Sequence, residues 1–444
     1  MGLRVALLLL LLPLAATASD RAQQSFESLL SGQWQNNVGE PQNHGSSCSI
    51  NRIGAFDQVQ GPVPLSVSAS EHPEAVKVPA LNASVWEQWE FDGVAESGKG
   101  SIMMGFVRDP AFQFFGQGNL RIEFYMMLED GTRIQQVEYV DYSTIIDCAD
   151  SVSGLWNSSS RVYAFKVSKD MGSAKVWWDT GNTKGAFSLE SFTSPVLASG
   201  DPWPPTEQRV PSQHPVAVHL SPGFYFNQPI SGGKMTAHVQ LGRKGEMKIK
   251  GYGSHTRVWA TAHWLKICHG YNLVRGFLGP YAVSYLQCVS RVDDLVTYLT
   301  AQLFKNGRLL VGSRLGAVSE DADHVLFRRD FAGNLSGRFA DKSTGQVLEF
   351  VSPGSGRKWR FQHTHETRWF EMSLGGGNGV TAFVDQVAGG EVGTNEDFGG
   401  RGISEHVQFP EELKKWQLCI IYGMAILGGW KRSLESFVSS VSSS

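Results

Sequence analysis

The sequence predicts an all-β protein of two antiparallel β-barrel or sandwich domains with a short C-terminal helix. Three observations point there. Short runs of alternating apolar and polar residues recur between turn-forming dipeptides, the period-two pattern of half-buried strands. The 444 residues include 49 Gly, 25 Phe and 13 Trp, a usage that suits many turns and aromatic sheet faces. A run from Asp201-Pro-Trp-Pro-Pro205 to Pro215 discourages both helix and central strand, and it separates two strand-rich halves.

Taken in order, the chain opens with Arg4 ahead of an apolar run from Val5 to Leu14 and an Ala16-x-Ala18 site. This is the build of a secretory signal peptide, and residues 1–18 are read as one, which places the protein in the secretory pathway, lumenal or secreted. Residues 19–200 form the N-terminal β domain. Its first sixty residues are polar and rich in Gly, Ser and Pro. Alternation then tightens at 85–94 and continues at 101–107, 120–128, 133–140, 162–167 and 174–178. Residues 201–215 read as the linker. Residues 216–412 repeat the style as a C-terminal β domain, with turns at Lys305-Asn-Gly307 and Gly375-Gly-Gly-Asn-Gly379. Residues 413–444 hold an apolar stretch from Trp416 to Trp430 and a Ser-rich tail. That stretch is short for a bilayer span, so it reads as a docking helix, with membrane contact as the other reading.

The formal charge of −3 gives no electrostatic footprint for nucleic acid. Sequons at Asn82, Asn157 and Asn334 are glycosylation sites for a chain that enters the secretory pathway. Five cysteines allow at most two bridges, with Cys268–Cys288 and Cys48–Cys148 as the two candidates. None follows the C-x-x-C spacing of zinc or redox sites.

The densest chemistry lies in Gly251-Tyr-Gly-Ser-His-Thr-Arg-Val-Trp259, continuing through Trp264 to Gly279-Pro-Tyr281. Two glycine-marked turns, at Gly251/Gly253 and Gly276/Gly279, bracket it. On a strand, His255, Arg257 and Trp259 share one face. Such a face is either a ligand surface or a satisfied core histidine beside an Arg–carboxylate pair. His363, His365 and Glu371 share parity and would suit a metal, although His363-Thr-His-Glu-Thr-Arg368 reads as a hairpin tip. No metal is assigned. In Trp89-Glu-Phe91-Asp92, Asp92 reads as the cap of an Asp-Gly turn. Nucleophile-elbow, Walker, H-E-x-x-H and Rossmann signatures are all missing, which argues against the common hydrolase, kinase and dehydrogenase classes.

Trp86-Glu-Gln-Trp-Glu-Phe-Asp92 and the Gly251–Trp259 block, with Trp264 and Gly279-Pro-Tyr281, resemble the lipocalin-like proteins related to carotenoid hydratases of the hydroxyneurosporene synthase type. The fungal branch of that family includes Diels–Alderases that fold polyenes into decalin or cytochalasan rings. The signal peptide and sequons resemble those of secreted relatives that perform hetero-Diels–Alder couplings. The resemblance covers about residues 85–410 and implies two lipocalin-like domains with a substrate cavity at or near their junction. It also implies a cofactor-independent [4+2] cycloaddition in fungal secondary metabolism, acting on a small apolar intermediate of polyketide, tropolone or terpenoid type. The favoured version couples an o-quinone methide to a terpene alkene. A decalin-forming reaction on a polyketide polyene and a non-catalytic terpenoid or lipid carrier stand as alternatives. Cycloaddition needs no nucleophile; it needs an aromatic pocket and a hydrogen-bond donor at a carbonyl. Arg257, His255, Tyr281 and Arg401 are the candidate donors. Trp89, Phe224, Tyr225, Asn227, Trp259, Trp264 and Phe383 are the candidate substrate contacts.

Overall fold

The computed structural model describes residues 48–111, 116–204, 217–242 and 245–411. Nearly all regular structure there is strand, in two antiparallel sheets. The first contains β1 (Ser49–Gly54), β2 (Trp86–Ala95), β3 (Ser101–Arg108), β4 (Leu120–Met127), β5 (Arg133–Tyr139), β6 (Tyr142–Asp147), β7 (Ser151–Asn157), β8 (Val162–Ser168), β9 (Ser173–Asp179), β10 (Lys184–Ser191), β11 (Val196–Leu197), β12 (His219–Ser221), β13 (Phe224–Gln240) and β14 (Glu246–Ala260). Its strand order is β1-β6-β7-β8-β9-β10-β13-β14-β2-β3-β4-β5, with β11 and β12 on β13. One helical turn, α1 (Trp264–Ile267), leads into the second sheet. That sheet contains β15 (Cys268–Leu278), β16 (Tyr281–Ser290), β17 (Thr297–Lys305), β18 (Arg308–Ser313), β19 (His324–Asp330), β20 (Gly345–Ser352), β21 (Arg357–Gly375), β22 (Asn378–Glu391) and β23 (Phe398–Gln408), in the order β18-β17-β16-β15-β23-β22-β21-β20-β19.

The first sheet curls into a half-barrel. Its two ends approach each other where Asn119 N–H, just before β4, donates to Ala55 O, just after β1 (2.6 Å). The second is a nearly closed barrel, with Val325 N–H donating to Leu315 O (2.9 Å) between β18 and β19. Closing a sheet removes exposed edges, which explains why so long a β chain needs few covering elements. Strand alternation then sorts the side chains. Trp89, Phe91, Phe106, Phe124, Trp156 and Phe165 fill the first barrel, and Tyr281, Tyr285, Phe350, Trp359 and Phe361 the second. A third apolar cluster seals the two barrels together, with Tyr125 stacked on Phe370 at 4.1 Å between ring centroids.

Several expectations change. Residues 224–260, beyond the proline-rich run, belong to the first sheet, so sheet membership switches between Ala260 and Cys268. Gly251 and Gly253 are not turn residues but lie within β14. A Cβ at Gly251 would meet Val94 O at 1.9 Å, so glycine serves close strand approach there. Gly279, with φ +52°, does mark a turn. Asp92-Gly93 lies inside β2, and the turn follows at 96–100. His363–Arg368 runs within β21 rather than at a hairpin tip. Cys48 and Cys148 are bridged, whereas Cys268 and Cys288 stand as buried thiols. The signal peptide and C-terminal helix of the sequence reading lie outside the described residues. Among the described residues no helix is long and apolar enough to cross a membrane.

Candidate functional site

His255, Arg257 and Trp259 do share one face of β14, and that face points into the first barrel. Each sits opposite a β2 residue: His255 opposite Phe91, Arg257 opposite Trp89 and Trp259 opposite Glu87. The His255 ring stacks on Phe91 at 3.9 Å, and the Arg257 guanidinium lies 3.9 Å over the Trp89 ring. The segment 57–85 crosses over these side chains and satisfies them. His255 Nε2 is 2.9 Å from Glu74 Oε1, and its Nδ1 is 2.9 Å from Glu90 O. Arg257 donates to Pro73 O, Ala75 O and Glu87 Oε2 at 3.1–3.2 Å. Trp259 Nε1 donates to Ser66 O at 3.0 Å. Glu87 also accepts from Arg108 (3.1 Å) and from Lys77 N–H (2.9 Å). The side chains of His255, Arg257, Trp259, Glu74, Glu87 and Arg108 are buried, so protein fills the face that sequence offered as a ligand surface, and the core-histidine reading is the one realised. Burial pushes the Glu74 carboxyl up, but the neighbouring His255 and Arg257 outweigh it and hold it below the usual range.

The even-numbered positions of the same strands face the other way, onto the second barrel. There Asp92 accepts from Ser254 Oγ (2.9 Å) and pairs with Arg275, which also bonds Thr256 and stands 3.7 Å from Glu90. From β15 the Tyr271 hydroxyl donates to Glu405 Oε1 of β23 at 2.7 Å. Glu405 is held up to about 8 by burial first and then by the charges of Glu90 and Glu123, against the pull of the Tyr271 hydrogen bond and Arg275. Burial also raises Glu90, with Glu123 adding to it and Arg275 opposing. A carboxyl held above pH 7 keeps its proton at neutral pH, so Glu405 becomes a hydrogen-bond donor. Sequence reasoning missed Glu90, Glu405 and Tyr271. Glu90 alternates with Trp89 and Phe91 inside the quoted motif, and that parity was the available signal.

A cavity of about 260 Å³ opens beside this seam, at the mouth of the second barrel. Its lining includes Tyr271, Asn272, Gln287, Phe339, Asp341 and His406. Burial lowers His406 to about 4, so it stands neutral, and its Nε2 is 3.1 Å from Gln346 Oε1. Tyr271 joins the cavity to Glu405. Trp264 leans on Tyr271 at 5.6 Å and stacks on Trp86 at 4.6 Å and on Phe409 at 5.6 Å, forming an apolar wall with Phe224.

The remaining predicted residues scatter. Tyr225 stacks on Trp259, and buried Asn227 pairs with Arg257 in register. Tyr281 lies in the second barrel's core with its hydroxyl on Glu396. Arg401 bridges the barrels, bonding Glu96 O (3.3 Å), Ser97 O (3.1 Å) and the Glu366 carboxylate. Phe383 stacks on His365 at 3.7 Å. Glu371 does not join His363 and His365; it takes Arg338, and Asp385 bonds His365 Nδ1 at 2.8 Å instead. Among the described residues no cluster of three or more His, Cys, Asp or Glu is arranged to hold a metal ion.

Comparison with known proteins decides the family. Residues 45–410 match the model of the Diels-Alderase-like family. The chain belongs to that family. It is 54% identical to Diels-Alderase mycB of Thermothelomyces thermophilus over 97% of this chain and 98% of that one. It is 40% identical to hexane cyclase xenF of Xenoacremonium sinensis over 89% of this chain and 90% of that one. The solved structure of CghA shares the fold, with a TM-score of 0.71 and 24% identity, covering 82% of this chain and 100% of that one. The resemblance read from the tryptophan and glycine motifs is therefore correct, and the chain is an enzyme of the Diels–Alderase group.

Proposed function

We propose that this protein accelerates an intramolecular [4+2] cycloaddition of a linear polyene bearing a conjugated carbonyl, at the seam between the two barrels. The observation that carries the site is the Tyr271–Glu405–Glu90 group beside the second barrel's mouth. A carboxyl held up to about 8 is protonated at pH 7, and its neighbour Tyr271 occupies one oxygen. The other oxygen then offers O–H to a dienophile carbonyl. That hydrogen bond draws electron density from the alkene and strengthens as the transition state develops. Half-buried Trp264 and Phe409, backed by buried Phe224, supply the apolar wall beside Tyr271 against which a polyene folds, bringing diene and dienophile termini within roughly 3–3.5 Å. Two carbon–carbon bonds form, no atom is lost, and no proton need leave the donor.

This reading moves the polarising donor from Arg257 or His255 to Glu405, because the former pair is spent on Glu87 and Glu74. The name of one relative favours a carbocyclic product over the oxygen heterocycle of a hetero-Diels–Alder coupling, since xenF is a hexane cyclase. The signal-peptide reading supports action inside the secretory pathway, and the Cys48–Cys148 bridge is consistent with it. The test is to incubate Glu405→Leu and wild-type protein with a linear polyenoyl substrate and follow cyclised product by chiral chromatography. Loss of rate in a folded Glu405→Leu variant supports the assignment, and an unchanged rate and stereochemistry removes it.

A further inference from the structure

We propose that Cys268 and Cys288 are a covalent modification site, oxidised to a second disulfide that pins the corner from which Tyr271 projects. Their sulfurs lie 3.2 Å apart across neighbouring strands, with the Cys288 thiol donating to Cys268. A disulfide needs the sulfurs about 2.05 Å apart, so closing it asks for a shift of roughly 1 Å. The site has the slack for that: the register of β15 against β16 slips between Cys268 and Gly270. Cys268 is also the residue at which α1 ends and β15 begins. The independent observation is that Cys48 and Cys148, 100 residues apart in sequence, are already bridged in the same chain. A chain that meets an oxidant able to join those two also presents this much closer pair to it.

The step balances as thiol–disulfide exchange. Cys268 and Cys288 together lose two electrons and two protons as one S–S bond forms. A disulfide oxidant, oxidised glutathione or the disulfide of a thiol oxidoreductase, accepts them and leaves as two thiols. Both thiols are fully buried in the finished fold, and burial raises Cys268 well above the ordinary thiol range. Thiolate attack is correspondingly slow there, so exchange takes place before β15 and β16 close over the pair. The bridge would tie the start of β15 to β16 directly behind Trp264 and Tyr271, which lean on each other at 5.6 Å.

The test is peptide mapping of full-length protein expressed through the secretory pathway of a fungal host. The protein is denatured and alkylated before and after reduction. The expected result is a peptide linking Cys268 to Cys288, with both residues labelled only after reduction. In Cys288→Ser, Cys268 should label before reduction; because mapping is done on denatured chain, this holds even if the variant folds poorly. Labelling of both wild-type thiols before reduction overturns the proposal. So does a link from either of them to Cys419, or a Cys268 that stays unlabelled in Cys288→Ser.

Discussion

If a protonated Glu405 is the donor, activity should fall as that proton is lost. Glu405 is only 9% exposed, and its carboxyl is held up to about 8 by burial and by the charges of Glu90 and Glu123. A single group titrating there is about nine-tenths protonated at pH 7 and about one-tenth at pH 9, so the single-turnover rate should drop by about tenfold between them. The midpoint belongs to the interacting Glu90–Glu405 pair rather than to either alone. Losing the donor altogether removes about 1.5–3 kcal/mol of transition-state stabilisation, or roughly 10- to 150-fold in rate, expected for Glu405→Leu at pH 7. Glu405→Gln keeps an N–H donor and cannot ionise, so it should retain most activity with a flat profile from pH 6 to 9.5. Stability shifts in the same direction. The folded carboxyl sits above its unfolded value, so its contribution is fully present below about pH 4.5 and is lost as pH rises through about 8. The assay is stopped-flow or quenched cyclisation with excess enzyme, alongside urea melts at each pH. A flat wild-type profile, or a Glu405→Gln variant that keeps the alkaline fall, would refute the assignment.

Three further outcomes follow from the same contacts. Arg257→Leu leaves the buried Glu87 carboxylate with Arg108 as its one remaining arginine, and should cost about 3–5 kcal/mol in urea denaturation while the turnover of folded protein stays close to wild type. Replacing Cys48 and Cys148 by Ser opens a 100-residue loop and should cost about 4–5 kcal/mol, read as a lower melting midpoint without reductant present. Of the three sequons, Asn334 is exposed, whereas the Asn82 side chain is tied to Gly61 O and to the Ser84 and Val85 N–H groups. Endoglycosidase treatment of secreted protein should therefore shift the mass of the Asn334 peptide first, and a lone shift at Asn82 would contradict the contacts.

Much of the fold was legible because strand alternation and turn glycines are local signals. The strand at Trp86–Ala95 and the turn at Gly279 came straight from pattern. The shared face of His255, Arg257 and Trp259 was also read correctly, but local pattern left open whether ligand or protein covers it. Nothing in residues 57–85 announces that a polar, Pro-containing segment will lie across that face and satisfy it with Ser66, Pro73, Glu74 and Ala75. The proline-rich run looked like the frontier between halves, yet β13 and β14 return to the first sheet, a long-range pairing invisible to local composition. The seam carboxyls were hidden for a related reason. Glu90 and Glu405 are 315 positions apart in sequence, and each reads alone as an ordinary surface-facing residue of a half-buried strand. Only packing two barrels face to face removes their water, which raises both carboxyls and leaves Glu405 a donor.

The most direct measurement mixes purified protein, at a few per cent of substrate concentration, with a linear polyenoyl compound carrying a terminal diene and a conjugated carbonyl dienophile. Product is resolved on a chiral column against a protein-free control. The cycloaddition reading predicts many turnovers per protein and one dominant [4+2] stereoisomer. A product mixture matching the control in rate and composition, with substrate merely bound in proportion to protein, would contradict it and leave a carrier in its place.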